Sequence, residues 1–288
     1  MKIIKLQYKN IPIYRLVNEN PITDNGIFLI TCAGYKVSEP IKNAQYYTNS
    51  IILANTQEEY EYYSDNFDLD VLFCNHNAFL NEDRFIIRED IKKEYNLVVS
   101  SCFSKYKNVS YAEKIPNVLH IGYVNESKVE YIPNFGYRAN FKNNSTDIND
   151  WNWICTKKYV SLLNSAICGG IFSAREGSCF ASSEYLLCGL PVISTKSVGG
   201  RDVFYNEHNS VICDNNSDSV KNVFDELIKN IQFYDKHKIR ENKLKQMDYF
   251  RDVLTVYVQN KIEDKYKESV DTQELKNLLK FYDNSNEW

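Results

Sequence analysis

A chain of 288 residues with 43% hydrophobic and 25% charged residues is long enough for two modest α/β lobes and rich enough in apolar side chains to exclude disorder. Its 34 basic and 38 acidic residues leave a net charge of −4, which excludes generic nucleic-acid binding, a function that needs a basic excess. Eight cysteines with no Cys-x-x-Cys pair exclude a disulfide framework and point to a reduced, cytoplasmic compartment. Cys74 and His76 stand two apart, but no second pair completes a structural zinc site. The opening MKIIKLQYKN lacks the apolar region of a signal peptide, and the apolar runs are too short to span a bilayer.

In chain order, short apolar runs at 27–31, 50–53 and 71–73 predict buried strands, and 57–66 predicts a helix that completes one crossover unit. The charged, turn-rich passage 81–94 predicts a linker, closing a small Rossmann-like first lobe over 1–92. Residues 96–100 read as the first strand of a second lobe over 93–265, with further strands at 118–122 and 129–132. Residues 157–167 have helical spacing, with Leu162, Leu163 and Ile167 on one side, and Cys168-Gly169-Gly170 predicts the helix stop. There follow a strand at 171–174, a loop at 175–178, a helix at 180–188 with Gly189 as its C-cap, a strand at 191–195 and a Gly199-Gly200 turn. A strand at 211–213 and a helix capped by Ser217 or Asp218 and running to about residue 230 come next; the rest is helical and lysine-rich, with a tail over 266–288. The basic run 236–245 predicts a solvated helix face, with at most peripheral contact at the inner face of a membrane. Strands alternating with amphipathic stretches make the fold class α/β, with parallel sheets.

Glu176 and Glu184 lie eight residues apart, one in the loop at a strand's carboxyl end and the other early in the following helix. In open α/β sheets ligands bind outside the carboxyl ends of strands, and a helix start offers free N–H groups to phosphate. Gly177 and Ser178 let the backbone approach such a ligand, Gly199-Gly200 adds a second permissive loop from the neighbouring strand, and Glu184 is placed to accept hydrogen bonds from ribose hydroxyls. Each of these residues alone is as readily a surface cap, a solvated helix residue or a turn; their joint spacing is what argues for a site.

The stretch GGIFSAREGSCFASSEYLLCGLPVISTKSVGGRDVFY, residues 169–205, resembles the donor-site signature of retaining glycosyltransferases of the two-lobed GT-B type, in which E-x7-E is followed by Cys-Gly-x-Pro-Val and then Gly-Gly. The resemblance implies a GT-B-like fold of two Rossmann-like lobes facing a central cleft, here with a reduced N-terminal lobe. It implies transfer of a sugar from a nucleotide diphosphate sugar to the hydroxyl of a glycan or glycolipid, with retention, without a cofactor and without a required metal. By resemblance Glu184 holds the ribose, Glu176 contacts the donor sugar, and Gly177, Ser178, Gly199 and Gly200 approach the sugar and diphosphate. Lys107 resembles the lysine that neutralises the diphosphate, but Cys102 occupies the place of the accompanying arginine, leaving Lys105 or Arg175 as substitutes. His76, just after a first-lobe strand, resembles a histidine that contacts the transferring sugar; a histidine satisfied by nearby backbone is an equal reading. Cys102 and the short first lobe also suggest the alternative of a catalytically degenerate nucleotide-sugar or carbohydrate-binding protein. An NAD enzyme lacks support, since no G-x-G-x-x-G follows an early strand.

Overall fold

The computed structural model describes residues 2–17, 26–31, 39–44, 49–124, 129–142, 145 and 147–280. The first lobe is built on β1 (Lys2–Tyr8), β2 (Ile11–Val17), β3 (Ile27–Thr31), β4 (Ser50–Ala54) and β5 (Asp70–Phe73), paired in that order. Strands β2 to β5 run parallel, while β1 returns antiparallel to β2. All five residues of β3 and of β4 are buried, as expected of apolar runs covered on both faces of a parallel sheet. Helix α1 (Glu39–Ala44) lies beside β3 and β4. Helix α2 (Gln57–Asn66) starts at Thr56, whose side chain accepts the Glu59 N–H at 2.9 Å, while Glu59 Oε2 accepts the Asn55 N–H at 2.8 Å. This near relative of a capping box fixes the chain just beyond β4.

The second sheet holds β6 (Tyr95–Cys102), β7 (Val118–Tyr123), β8 (Tyr137–Arg138), β9 (Ala166–Ile171), β10 (Val192–Thr195) and β11 (Ser210–Cys213), all parallel, in the spatial order β8-β7-β6-β9-β10-β11. That is the doubly wound order, and its direction reverses between β6 and β9, where such folds open a crevice for ligand. Helices α3 (Thr156–Asn164), α4 (Phe180–Leu187) and α5 (Ser217–Lys229) cover the sheet.

Four expectations are corrected here. The helix expected over 157–167 stops at Asn164, and Cys168-Gly169-Gly170 lies inside β9, a central strand. A β-carbon on Gly169 would sit 2.1 Å from the Tyr185 ring, so these glycines admit a close helix–strand contact and do not end a helix. Of the strand expected at 171–174, only Ile171 belongs to β9 and the rest is the loop that follows it, while the strand expected at 129–132 is a single 3-10 turn, Val129–Tyr131. Asn216, one residue earlier than expected, caps α5 by accepting the Ser219 N–H at 2.8 Å.

Helix α6 (Lys236–Tyr266) begins on the second lobe and ends on the first. Arg240 donates to the carbonyls of Phe85 and Leu187, Tyr257 donates to Asp70 at 2.9 Å, and α7 (Thr272–Leu279) packs on β1. A single apolar cluster runs through Ile13, Leu53, Phe79, Leu186, Met247 and Leu254, so both lobes and α6 share one core. Lys243 departs from the solvated face expected of 236–245: it is fully buried, with its amine over the Phe204 ring. No helix among the described residues is long and apolar enough to cross a membrane.

Candidate functional site

At the switch point β6 ends in Ser100-Ser101-Cys102, and β9 leads into the loop that carries Glu176. A cavity of about 750 Å3 opens there, and Glu176, Glu184, Lys107, Ser178 and His76 all line it. The loops after β9 and β10 are zipped together by the backbone: Glu176 N–H to Val198 O at 3.0 Å, Val198 N–H to Ala174 O at 3.0 Å, and Gly200 N–H to Gly177 O at 2.6 Å. Gly199 adopts φ 113°, a conformation open to glycine alone among ordinary residues. Cys179 precedes α4 with φ 55° and ψ 88°, a left-handed geometry that is rare for a residue with a β-carbon. It has no side-chain oxygen to cap the helix. Ser178, Cys179, Phe180 and Ala181 line the cavity, so the positive end of α4 faces it.

Lys107 ends a single 3-10 turn, Lys105–Lys107. The next residue, Asn108, takes φ 50° and ties this turn to the far side of the crevice through Nδ2 to Phe172 O at 3.1 Å. The turn thereby aims the Lys107 ammonium at Glu176, with which it forms an ion pair. Desolvation alone would depress the Lys107 pKa, but Cys179 and Glu176 outweigh it and the net shift is upward. Burial pushes the Cys179 thiol itself up to about 12, so it is uncharged near neutrality and the Glu176 carboxylate supplies the charge that holds the ammonium.

Glu184 accepts a hydrogen bond from Tyr159 Oη at 2.6 Å, and the same hydroxyl lies 2.8 Å from Ser100 Oγ. Burial raises the Glu184 carboxyl from 4.5 to about 7, against the opposing effect of the Tyr159 bond. The folded protein thus retains a proton that the unfolded chain releases between those two values, and this residue's contribution to stability falls as pH rises through that interval. Glu184→Gln has no charge to desolvate, so from pH 5 to pH 8 it is expected to gain on the order of 2–3 kcal/mol relative to the unsubstituted chain. Denaturant unfolding at both pH values measures this; an equal difference at the two would refute it. His76 is 6% exposed and its edge meets the Phe180 ring, with centroids 4.9 Å apart. Burial, aided by Arg15, lowers its pKa well below the ordinary value, and the ring is neutral. Its Nδ1 has no hydrogen-bond partner among the described residues.

Of the other anticipated positions, all but Cys102 lie apart from the cavity wall. Lys105 and Arg175 are exposed and do not line it. Cys102, in the place expected of an arginine, is buried with its sulfur 3.3 Å from Ser104 Oγ and 3.5 Å from Tyr106 Oη. Lys107 is therefore the only lysine or arginine among the described lining residues. Gly177 and Gly200 meet each other behind the wall, and Gly200 abuts the first lobe. Arg201, which sequence reasoning passed over, is fully buried and donates to the carbonyls of Ser173 and Thr195, bracing the floor beneath both loops. Sequence reasoning also missed the rim: Tyr106, Tyr123, Trp153 and Phe180 line the cavity while remaining 54%, 43%, 62% and 42% exposed. Among 22 tyrosines and 15 phenylalanines, no local pattern distinguished them.

No family model matches the chain, and no curated protein matches it in sequence. Solved structures do resemble it. TarM from S. aureus is 12% identical with a TM-score of 0.58, the match covering 81% of this chain and 50% of TarM. Anabaena HepE in complex with UDP is 16% identical with a TM-score of 0.55, covering 81% and 71% of the two chains. The pneumococcal O-GlcNAc transferase GtfA, solved with UDP and GlcNAc, is 12% identical with a TM-score of 0.55, covering 88% and 53%. The chain thus spans about half the length of TarM and of GtfA. These likenesses are of fold: the chain has the GT-B architecture, with two Rossmann-like lobes and a reduced N-terminal lobe.

Proposed function

We propose that this chain is a glycosyltransferase that moves a sugar from a nucleotide diphosphate sugar to the hydroxyl of a glycan or glycolipid, with retention at the anomeric carbon. The observation that carries this reading is the convergence, in one cavity at the switch point, of two carboxylates from an E-x7-E spacing, a held ammonium and the positive end of α4. A ligand that is anionic at one end and rich in hydroxyls at the other suits that set. The fold's relatives lend support, since HepE has been solved with UDP-glucose and GtfA with UDP and GlcNAc.

In this reading Glu184 takes the ribose hydroxyls, and Ser178 with the first turn of α4 takes the diphosphate. Glu176 and the neutral His76, which both line the cavity, orient the sugar. Transfer breaks the bond between the anomeric carbon and the diphosphate oxygen, and the electron pair departs with the phosphate. The acceptor hydroxyl forms the new carbon–oxygen bond and yields its proton to the departing phosphate oxygen, which lies on the same face when configuration is retained. Lys107 and the α4 N–H groups stabilise charge developing on the leaving group, a role that calls on no metal. The reaction belongs in the cytoplasm, where nucleotide sugars would meet acceptors in solution or at a membrane face.

Screening the purified chain against a panel of nucleotide sugars, with glycan and glycolipid acceptors, tests the proposal through release of nucleoside diphosphate and NMR of the product's anomeric configuration. Release that Glu176→Gln abolishes supports it. Thermal stabilisation by nucleoside diphosphates with neither transfer nor release would make the chain a binding protein instead.

A further inference from the structure

Three asparagines of the first lobe reach the loops that shape the cavity, and all are almost completely buried: Asn55 (1%), Asn75 (0%) and Asn77 (0%). Asn55 follows β4 and the other two follow β5, so the parallel strands deliver them to the cleft at their carboxyl ends. Asn75 Nδ2 donates to Asn55 O and to Gly200 O, both at 2.9 Å, and Asn75 Oδ1 accepts the Asn77 N–H at 2.9 Å. Asn55 Oδ1 accepts the His76 N–H at 3.0 Å. Asn77 Nδ2 donates to Ser178 O at 2.6 Å and to Cys179 O at 3.0 Å. Since each of these amide nitrogens faces two carbonyl oxygens, the flipped orientation would oppose oxygen to oxygen, and the assignment is settled. The seam is tight at Gly200, where a β-carbon would lie 2.7 Å from Asn55 O, Asn75 Nδ2 and Gly177 O.

The two carbonyls held by Asn77 flank Cys179, whose left-handed backbone needs outside support to persist. In planar trans peptides the N–H points opposite to its C=O, so fixing these carbonyls aims the Cys179 and Phe180 N–H groups away from Asn77. Ser178, Cys179 and Phe180 line the cavity and Asn77 does not. We propose that Asn77, with Asn75 in support, is a positioning residue for the diphosphate subsite: the first lobe completes the anion-binding turn of the second by holding the Ser178 and Cys179 carbonyls, and the subsite has its full form only while the lobes touch. This rests on reading the cavity as a nucleotide diphosphate sugar site.

Asn77→Asp keeps the size of the side chain and replaces the donor with an oxygen facing two carbonyls; Asn77→Ala removes the donor without adding charge. Two measurements on the full chain separate the inference from the reading beneath it. The first is hydrogen exchange without ligand, following the Glu176, Val198 and Gly200 amides that join the two loops. Both variants are expected to speed exchange at those amides at least tenfold while α5 exchanges as before. The second is calorimetric binding of UDP, GDP and ADP, with the tightest of the three expected to weaken at least tenfold in both variants. Unchanged exchange in the loops overturns the inference, as does a uniform rise over the whole chain, or faster loop exchange with unaltered affinity. If the unsubstituted chain binds none of the three, the functional reading fails, while exchange still decides whether Asn77 holds the turn.

Discussion

Lys107→Ala is expected to lower the rate of sugar transfer by about a hundredfold to a thousandfold, the usual cost of removing one preorganised group that stabilises charge in a transition state. The reason for so large an effect is that no other lysine or arginine lines the described cavity, so no second cation can take up the developing phosphate charge. The substitution also releases Glu176: a largely buried carboxylate that was ion-paired becomes an uncompensated negative charge beside the diphosphate. Lys107→Ala combined with Glu176→Gln should therefore bind a nucleoside diphosphate better than Lys107→Ala alone, although neither turns over well. Lys105, two residues away but exposed and outside the cavity, provides the control, and Lys105→Ala should stay within about twofold of the unsubstituted rate, as surface substitutions do. Steady-state kinetics with the active nucleotide sugar decides this. Equal losses in Lys105→Ala and Lys107→Ala would mean that a diffuse field, and not one placed ammonium, assists the leaving group.

The second-lobe side of the cavity was legible because its signals are local. Glu176, Glu184 and Gly189 sit in one strand–loop–helix–strand run, where the offset between residues fixes where each must fall, and both carboxylates do meet at the cavity. Gly189 ends α4 with φ 73°, as its place after the last apolar residue implied. The β1–β2 hairpin was illegible for the opposite reason. A lysine, Lys9, takes the left-handed turn position at φ 49° where glycine or asparagine would have announced a turn, and in β2 Ile13, Tyr14, Arg15 and Leu16 are all buried, so no in–out alternation is visible. The misplaced β9 shows a third limit. Gly169 and Gly170 are turn residues by local chemistry, and only the Tyr185 ring, sixteen positions away and pressed against the strand, explains why glycine stands in a sheet interior. The asparagine seam was hidden likewise, because a side chain that serves carbonyls of the other lobe leaves no periodic trace in its own.

Arg251→Met is expected to cost about 3–5 kcal/mol of stability, the range found when one member of a buried charge pair is removed and its partner left behind. Arg251 sits on α6 with 2% of its side chain exposed, and its guanidinium donates to Ala78 O at 2.8 Å, to Leu80 O at 3.3 Å and to both Glu82 oxygens at 3.1 and 2.7 Å. Methionine preserves much of the apolar stem, so a loss of this size would come from the stranded carbonyls and from the Glu82 carboxylate, only 14% exposed, which keeps the longer Lys280 contact at 3.6 Å but loses both guanidinium hydrogen bonds. At roughly 2–4 °C per kcal/mol for a chain of this class, the midpoint of thermal unfolding should fall by about 10 °C. By contrast, Lys196 and Asp214 are 72% and 66% exposed, and Lys196→Ala should change stability by no more than about 1 kcal/mol. Glu82→Gln is the informative companion: if the penalty in Arg251→Met is the abandoned charge, then adding Glu82→Gln should recover part of it, whereas purely additive losses would assign the cost to packing. The consequence reaches the cleft, because Ala78 belongs to the 3-10 turn His76–Phe79. Arg251 therefore anchors, from the helix that joins the two lobes, the turn that presents both His76 and Asn77 to the second lobe.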